Sequence, residues 1–268
     1  MKRLIPFVVI CAALCSDLTA GAFAQAIPFD WRNEVPDAND DFTRCMNRDR
    51  ANAERTVRSC GRVIAERFSS EYTAAGHYSR GLMREMLQDT AAAQEDFINA
   101  ERLFTTAINA TDRHTDAYRN RAAARYRLGR YEEAVADYEQ ALAVVTNARS
   151  DRGTRVRSGV ADLRTNQISG LHSRIGGVQF KAGNWNEARE AFDRAAETSP
   201  NVAAYQAGRC EARAAAQVEM ETAQAACDRA LELSDRSTEA LFSLGFLQFA
   251  QEDFGAAISS FSSAAGAD

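Results

Sequence analysis

The sequence predicts an all-α protein, an α-solenoid of about five to six antiparallel helix pairs. Composition gives the first indication, because alanine, the best helix former, is abundant and the 268 residues include only 4 Pro. No proline lies between Asp37 and Ser199, whereas a β-rich fold needs turn residues at short intervals. The second indication is a repeat in which alanine, an aromatic residue and alanine follow a small residue at offsets of 12, 16 and 19.

Residues 1–24 have the layout of a secretory signal peptide. A positive start at Lys2 and Arg3 is followed by an apolar run over residues 4–14. Small side chains precede a cleavage site at the end of this segment, and a second possible site follows Ala26. An uncleaved anchor is the competing interpretation, but the apolar run is shorter than the roughly 20 residues that span a bilayer. We therefore expect a protein of the periplasm, or one otherwise exported, with no stable membrane insertion after cleavage.

An extended leader, residues 25–37, and a degenerate helix pair, residues 38–72, come next. Within the pair, the pattern predicts a short helix over Asp40–Met46 and a second helix over Ala53–Arg67. Two interpretations of the leader stay open. It is either a strap over the open face of this first pair or a segment without fixed structure.

Five copies of the repeat follow. Repeats 1 and 2 occupy residues 74–148, a basic insert occupies 149–168, and repeats 3–5 occupy 169–268. The small positions are Gly81, Ala122, Gly176, Glu211 and Gly245, and the aromatic positions are Phe97, Tyr138, Phe192, Cys227 and Phe261. The fourth copy departs at both positions, with Glu211 and Cys227. Because the two alanines lie seven apart on one helix face, we expect the small residue to sit where two helices approach most closely.

A turn with a left-handed residue is predicted between the helices of a pair. Gly129 and Gly183 end the first helix in repeats 2 and 3. The aromatic residues Tyr131 and Trp185 follow two positions later and begin the second helix.

The second and third copies resemble the tetratricopeptide repeat family. The residues that carry the resemblance in the second copy are Tyr118, Asn120, Arg121, Leu128, Gly129, Tyr131, Ala134, Asp137, Tyr138, Ala141 and Leu142. Leu171–Pro200 provides a similar set, including a closing proline, and the resemblance covers roughly residues 74–268. It implies a right-handed superhelix whose first helices line a concave groove. The copies depart from the family in their irregular spacing and in Arg125, where the family usually has a large apolar residue.

The resemblance also implies which residues bind a partner. Carried over position by position, the groove includes Arg119, Tyr126, Arg127, Phe180, Lys181, Phe242, Phe246 and Phe249. Cations mixed with aromatic rings suit a protein or peptide partner, although the same rings could instead pack between repeats. Family members that hold a terminal carboxylate use a lysine and asparagine clamp. The expected mature chain keeps one lysine, Lys181, so that activity is not supported.

Four cysteines remain after removal of the predicted signal. Exported proteins meet an oxidising environment, so disulfides are expected. The separation within each pair brings two cysteines face to face across a helical hairpin, which favours Cys45–Cys60 and Cys210–Cys227 among the three possible connectivities. Zinc binding and thiol catalysis compete with this interpretation. Zinc sites favour closely spaced cysteines near histidine, and catalysis needs a free thiolate.

The sequence predicts no enzyme and no cofactor or metal. It has no phosphate-binding glycine loop, serine elbow or His-Glu-x-x-His motif. A net charge of −5 gives no general attraction to nucleic acid. We expect a non-catalytic periplasmic scaffold for protein–protein interaction, with a partner that the sequence does not identify. The alternatives are a structural or envelope-assembly protein that forms homo-oligomers through its C-terminal repeat, and an enzyme of unrecognised type. The basic insert is either a solvated loop or an anion-contacting lobe.

Overall fold

The computed structural model describes residues 40–66, 68–110, 115–147 and 158–267, without the side chains of 158–162. Within these ranges the secondary structure consists of twelve α-helices and one short 3₁₀ helix, so the all-α prediction is confirmed. The helices pack in pairs. The predicted signal peptide and leader lie outside the described residues, as does the first part of the basic insert.

The chain divides into two compact units, and the first contains described residues 40–144. Its helices are α1 (Asp40–Asn47), the 3₁₀ helix (Arg50–Asn52), α2 (Ala53–Ala65), α3 (Ser70–Met86), α4 (Thr90–Ala110), α5 (Thr115–Arg127) and α6 (Tyr131–Asn147), whose last residues belong to the second unit. Helix α1 pairs with α2 and α3 with α4, while α2 packs on α3 and α4 packs on α5. Side-chain hydrogen bonds join α5 to α6.

The second unit contains described residues 145–147 and 158–267. Its helices are α7 (Ser158–Lys181), α8 (Trp185–Thr198), α9 (Ala203–Ala216), α10 (Met220–Leu233), α11 (Thr238–Ala250) and α12 (Phe254–Ala265). They pair as α7 with α8, α9 with α10 and α11 with α12, and α9 also packs on α8 and α11. Helix α7 begins eleven residues before the expected start of repeat 3, so residues 158–168 of the predicted insert are helical.

Small residues lie where the helices of a pair approach closely, as the repeat offsets predict. A Cβ atom added at Gly81 of α3 would lie 2.7 Å from the ring of Phe97 on α4. The equivalent distance from Gly176 of α7 to Phe192 on α8 is 3.0 Å. Both rings are buried, so each fills the space that the missing side chain leaves.

Five pairs share one turn geometry. The first helix ends with a hydrogen bond from a backbone N–H to the carbonyl five residues earlier, and the donors are Asp89, Arg130, Asn184, Val218 and Asp253. Gly129 and Gly183 have the predicted left-handed φ of 74° and 82°. In the other three turns Gln88, Gln217 and Glu252 adopt positive φ, at 62°, 55° and 66°. The turn is therefore retained where glycine is absent, at a backbone cost of about 1 kcal/mol each.

Candidate functional site: the first-helix faces

In the first unit, the predicted groove residues lie on α5, which contacts α3. Arg119 is buried, whereas Tyr126 and Arg127 are only partly covered. Tyr78 of α3 is 1% exposed, and the Arg48 guanidinium lies 5.5 Å from the centre of its ring. The accessible part of this surface is therefore the C-terminal end of α5 beside α3.

Arg127 is held in place by contacts on both helices. Its Nη1 donates to Glu85 Oε2 on α3 at 3.1 Å, and its guanidinium lies 5.8 Å from the centre of the Tyr126 ring. Burial disfavours its charge, but Tyr78 and Glu85 outweigh that effect and raise the pKa of Arg127 above its ordinary value. The result is a fixed, permanently charged guanidinium beside a partly exposed phenol.

In the second unit, most of the predicted groove residues are aromatic, and most of these aromatic side chains are buried. Phe180, Phe242 and Phe246 are all buried, and the Phe180 and Phe246 rings meet at 6.3 Å. Lys181 and Phe249 retain exposed area, and the Phe249 ring packs against Phe254 at 5.6 Å. The buried rings stabilise the stacking of helices, so only Lys181 and Phe249 are placed to meet a partner. The binding role of all eight groove residues stays a prediction.

A buried acid tied to arginines occurs in repeats 1 and 2, and sequence reasoning missed it as a unit. Asp96 of α4 accepts hydrogen bonds from Arg80 at 2.7 and 2.9 Å and from Arg84 at 2.7 Å. His77 Nδ1 also lies 2.8 Å from it. Burial raises the pKa of Asp96, but His77 and the arginines outweigh this, so that it lies below its usual range. The carboxylate therefore stays ionised, and both of its oxygens have hydrogen-bond partners.

Repeat 2 builds the same cluster with the same spacing. Asp137 of α6 accepts from Arg121 at 2.6 and 2.9 Å and from Arg125 at 2.9 Å. Arg125, the departure from the family pattern, also donates to Glu101 of α4 at 2.9 Å and so links two pairs. The sequence signal was available: both repeats carry arginine one residue before and three residues after the small position, and aspartate just before the aromatic position.

A third acid joins successive pairs in the second unit. Asp193 of α8 accepts from Arg209 at 2.8 Å and from Arg213 at 2.9 Å, and both donors lie on α9. Arg213 also donates to Glu219 at 2.9 Å, and Glu219 accepts from Arg189 at 3.0 Å. The acids and arginines of this cluster pair with one another, and their hydrogen bonds hold α9 against α8.

Glu211 occupies the small position of repeat 4 and is 5% exposed. Burial raises its pKa to about 8. In repeats 1, 3 and 5 this position faces an aromatic ring, whereas in repeat 4 Cys227 occupies the aromatic position. Burial keeps the carboxyl group of Glu211 largely protonated near neutral pH.

The cysteines pair as the spacing predicts. The structure contains the disulfides Cys45–Cys60, which joins α1 to α2, and Cys210–Cys227, which joins α9 to α10. All four side chains are buried. Each disulfide therefore belongs to the core of its pair, and these four thiols are not free for chemistry.

The part of the chain that the structure describes contains no group of three or more His, Cys, Asp or Glu that could hold a metal ion. None of the described helices is long and apolar enough to span a bilayer. Of the histidines, His77 contacts Asp96, and burial together with Arg194 lowers the pKa of the half-buried His172. His114 lies outside the described residues.

Residues 115–144, which form α5 and most of α6, match the family model of the tetratricopeptide repeat. This segment is similar to one tetratricopeptide repeat. It is the same copy whose residues resemble that family most fully, and its Tyr126 and Arg127 end the first helix of the repeat.

Two solved structures are similar to this chain over most of its length. PilF of Pseudomonas aeruginosa is 18% identical with a TM-score of 0.52, covering 85% of this chain and 90% of its own. BtubC (BKLC) from P. vanneervenii is 17% identical with a TM-score of 0.51, covering 83% and 90%. At these identities the likeness concerns the fold alone. No curated protein matches the chain significantly.

Proposed function

We propose that this tetratricopeptide repeat protein is a non-catalytic scaffold of the bacterial periplasm that binds a protein or peptide partner through its first-helix faces. The observation that carries the proposal is the pair Tyr126 and Arg127, which is partly exposed and whose guanidinium is held by Glu85. A ring beside a fixed guanidinium is a combination that dominates many protein interfaces. Holding it in advance lowers the ordering cost of binding.

The charged clusters support a scaffold over a catalyst. Asp96 and Asp137 are buried, and their carboxyl oxygens accept hydrogen bonds from arginine donors. A general acid or base needs access to substrate. These two groups instead hold helices together, which is a structural task.

The disulfides support the proposed location. Two buried disulfides persist in oxidising compartments and are rare where glutathione keeps thiols reduced. Together with the signal-like start of the sequence, they favour an exported protein.

Self-association through the C-terminal pair is the second candidate. Helix α12 carries no charged residue, and its Phe254 and Ile258 side chains are 48% and 67% exposed. Apolar exposure of this kind on a terminal helix suits contact with a second copy.

Site-specific photocrosslinking in cells of the native host tests the proposal. A benzoylphenylalanine at Tyr126 should form an adduct with a different protein, because its ring keeps the shape of tyrosine at a partly exposed position. Arg127→Gln in the same chain should lower the adduct yield about fivefold or more, since hot-spot truncations cost over about 1 kcal/mol.

The matched control places the same photocrosslinker at Arg102, an exposed residue of the second helix α4. Thermal melting of Arg127→Gln checks that the fold is intact. If position 126 gives no more adduct than position 102, the first-helix proposal fails. An adduct at Ile258 with twice the mass of the chain would favour self-association.

A further inference from the structure

A groove of about 570 Å³ lies in the first unit, and neither Tyr126 nor Arg127 is among its lining residues. It is lined by the 3₁₀ helix, the first turns of α2 and the C-terminal end of α3, and we call it the α2–α3 groove. Its volume is that of a small ligand pocket or of a few peptide side chains.

The apolar part of the α2–α3 groove comes from α3. Met86 and Leu87 are 49% and 43% exposed, which is unusual for large apolar side chains next to each other. Their backbone is fixed, because the Leu87 N–H donates to the Met83 carbonyl at 3.1 Å and Gln88 turns the chain at positive φ. The exposed side chains therefore stand on a rigid helix end.

The charged part comes from Arg50, Arg55 and Arg58, all of which are exposed. Glu54 is the one acid among the lining residues, and its contact with Arg58 is 3.9 Å long between side chains that are 77% and 62% exposed. Such a pair contributes little. Within the described residues, no ion pair joins Arg50 or Arg55 to an acid, so the groove keeps an excess of positive charge.

The 3₁₀ helix that carries Arg50 is tied to α2. The hydroxyl of buried Thr56 donates to the Asp49 carbonyl at 2.9 Å, and Asn52 Nδ2 donates to Asp49 Oδ2 at 3.0 Å. The backbone beneath the arginines is thus ordered before any ligand arrives, which reduces the cost of binding.

We propose that the α2–α3 groove is a docking site for an acidic peptide segment of a partner protein, in which carboxylates flank an apolar side chain. The apolar side chain covers Met86 and Leu87, and the carboxylates pair with the arginines, whose planar guanidinium groups bind carboxylates through two parallel hydrogen bonds. An acidic peptide is favoured over an anionic membrane because the arginines, Met86 and Leu87 line one concave groove of about 570 Å³, which accommodates a few peptide side chains and does not match a flat bilayer surface. The site includes the C-terminal end of α3, next to Glu85, but neither Tyr126 nor Arg127, and it goes beyond the function proposed for those two residues.

Fluorescence anisotropy tests this with a labelled synthetic peptide of about ten residues in which Asp and Glu alternate with Phe and Leu. The full mature chain should bind it, and a peptide with Lys in place of the acids should not bind. The double variant Arg55→Glu, Arg58→Glu should weaken binding about tenfold or more, and Met86→Ser by several-fold. Raised salt should weaken binding to the wild type.

Arg102→Glu makes the same type of charge change on α4 and should leave the affinity unchanged. Circular dichroism confirms that each variant is folded. The proposal is overturned if the double variant binds like Arg102→Glu, or if a peptide with Ser in place of the acids binds as tightly. It is also overturned if phosphatidylglycerol vesicles, and not the peptide, bind in a way that the double variant abolishes. None of these outcomes affects crosslinking at position 126.

Discussion

At the residue scale, two buried carboxyl groups show opposite solutions to the same desolvation cost. Asp96 is 1% exposed and remains ionised, because His77 and two arginines lower its pKa despite its burial. Glu211 is 5% exposed, and its pKa is raised to about 8 by burial alone. The first is stabilised as an anion and the second as a neutral acid.

Glu211 makes the stability of the protein depend on pH. Its ordinary pKa of 4.5 applies to the unfolded chain and about 8 to the folded chain, so the folded state holds more protons between these values. The contribution of Glu211 to the free energy of unfolding should therefore be largest below pH 4.5. It should fall by roughly 1 kcal/mol per pH unit as the pH rises toward 8. Denaturant unfolding of the wild type at pH 5, 6, 7 and 8 measures the slope.

Glu211→Gln keeps the shape of the side chain but replaces the titratable carboxyl group by an amide. The variant should therefore lose the fall in unfolding free energy between pH 5 and 8. Glu221→Gln is the matched control, since Glu221 is exposed at the start of α10 in the same pair. It should retain the wild-type slope. Parallel pH profiles for the wild type and Glu211→Gln would show that Glu211 does not carry the effect.

At the scale of helices, one ring connects two successive pairs. A Cβ at Gly208 of α9 would lie 2.5 Å from the ring of Phe192 on α8, and a Cβ at Gly176 of α7 would lie 3.0 Å from the same ring. Phe192 is 1% exposed. Since the ring is enclosed by helices of its own pair and of the next, it cannot move aside cheaply.

Gly208→Ala should therefore destabilise the protein by about 1–3 kcal/mol through overpacking, although alanine is the better helix former by about 1 kcal/mol. Gly170→Ala is the control on α7, because its Cβ would meet the Tyr205 hydroxyl at an ordinary 3.7 Å. That variant should be neutral or stabilised. Urea unfolding compares the two, and equal stabilities for both variants would contradict the close approach at Gly208.

The sequence predicts the helix pairs well because close approach requires small residues at fixed spacing, and that spacing is local. It does not explain Arg125, because the two acids that it contacts, Asp137 and Glu101, lie on two other helices. It also cannot separate buried from accessible groove rings. Phe246 and Phe249 both lie on α11, the first helix of the last pair, and only the packing of neighbouring helices decides that Phe246 is buried.

At the scale of the whole molecule, each compact unit contains one buried disulfide. In the second unit, Cys227 takes the position that other copies fill with an aromatic ring, so the disulfide with Cys210 replaces core volume as well as constraining the chain. The pairing was predictable from a spacing of 15 and 17 residues, which matches a helical hairpin. The start of α7 within the basic insert was not, because the insert lacks the repeat pattern.

Removal of either disulfide should lower the stability of its unit. In the chain-entropy model, loops of this length contribute about 3 kcal/mol each, so Cys45→Ala with Cys60→Ala and Cys210→Ala with Cys227→Ala should each lose roughly that amount. Hydrogen exchange should increase in α1 and α2 for the first variant, and in α9 and α10 for the second. Unchanged exchange in the helices that a disulfide joins would contradict its structural role.

The same disulfides make the compartment testable, because their oxidation state follows the environment in which the chain folds. Protein purified from the envelope of its host should have an intact mass four hydrogens below that of the fully reduced chain, one pair for each disulfide. A chain made without residues 1–24 in a reducing cytosol should have the reduced mass and the lower stability of the cysteine variants. An oxidised mass in that cytosol would remove the disulfides as support for export, since they would then form irrespective of compartment.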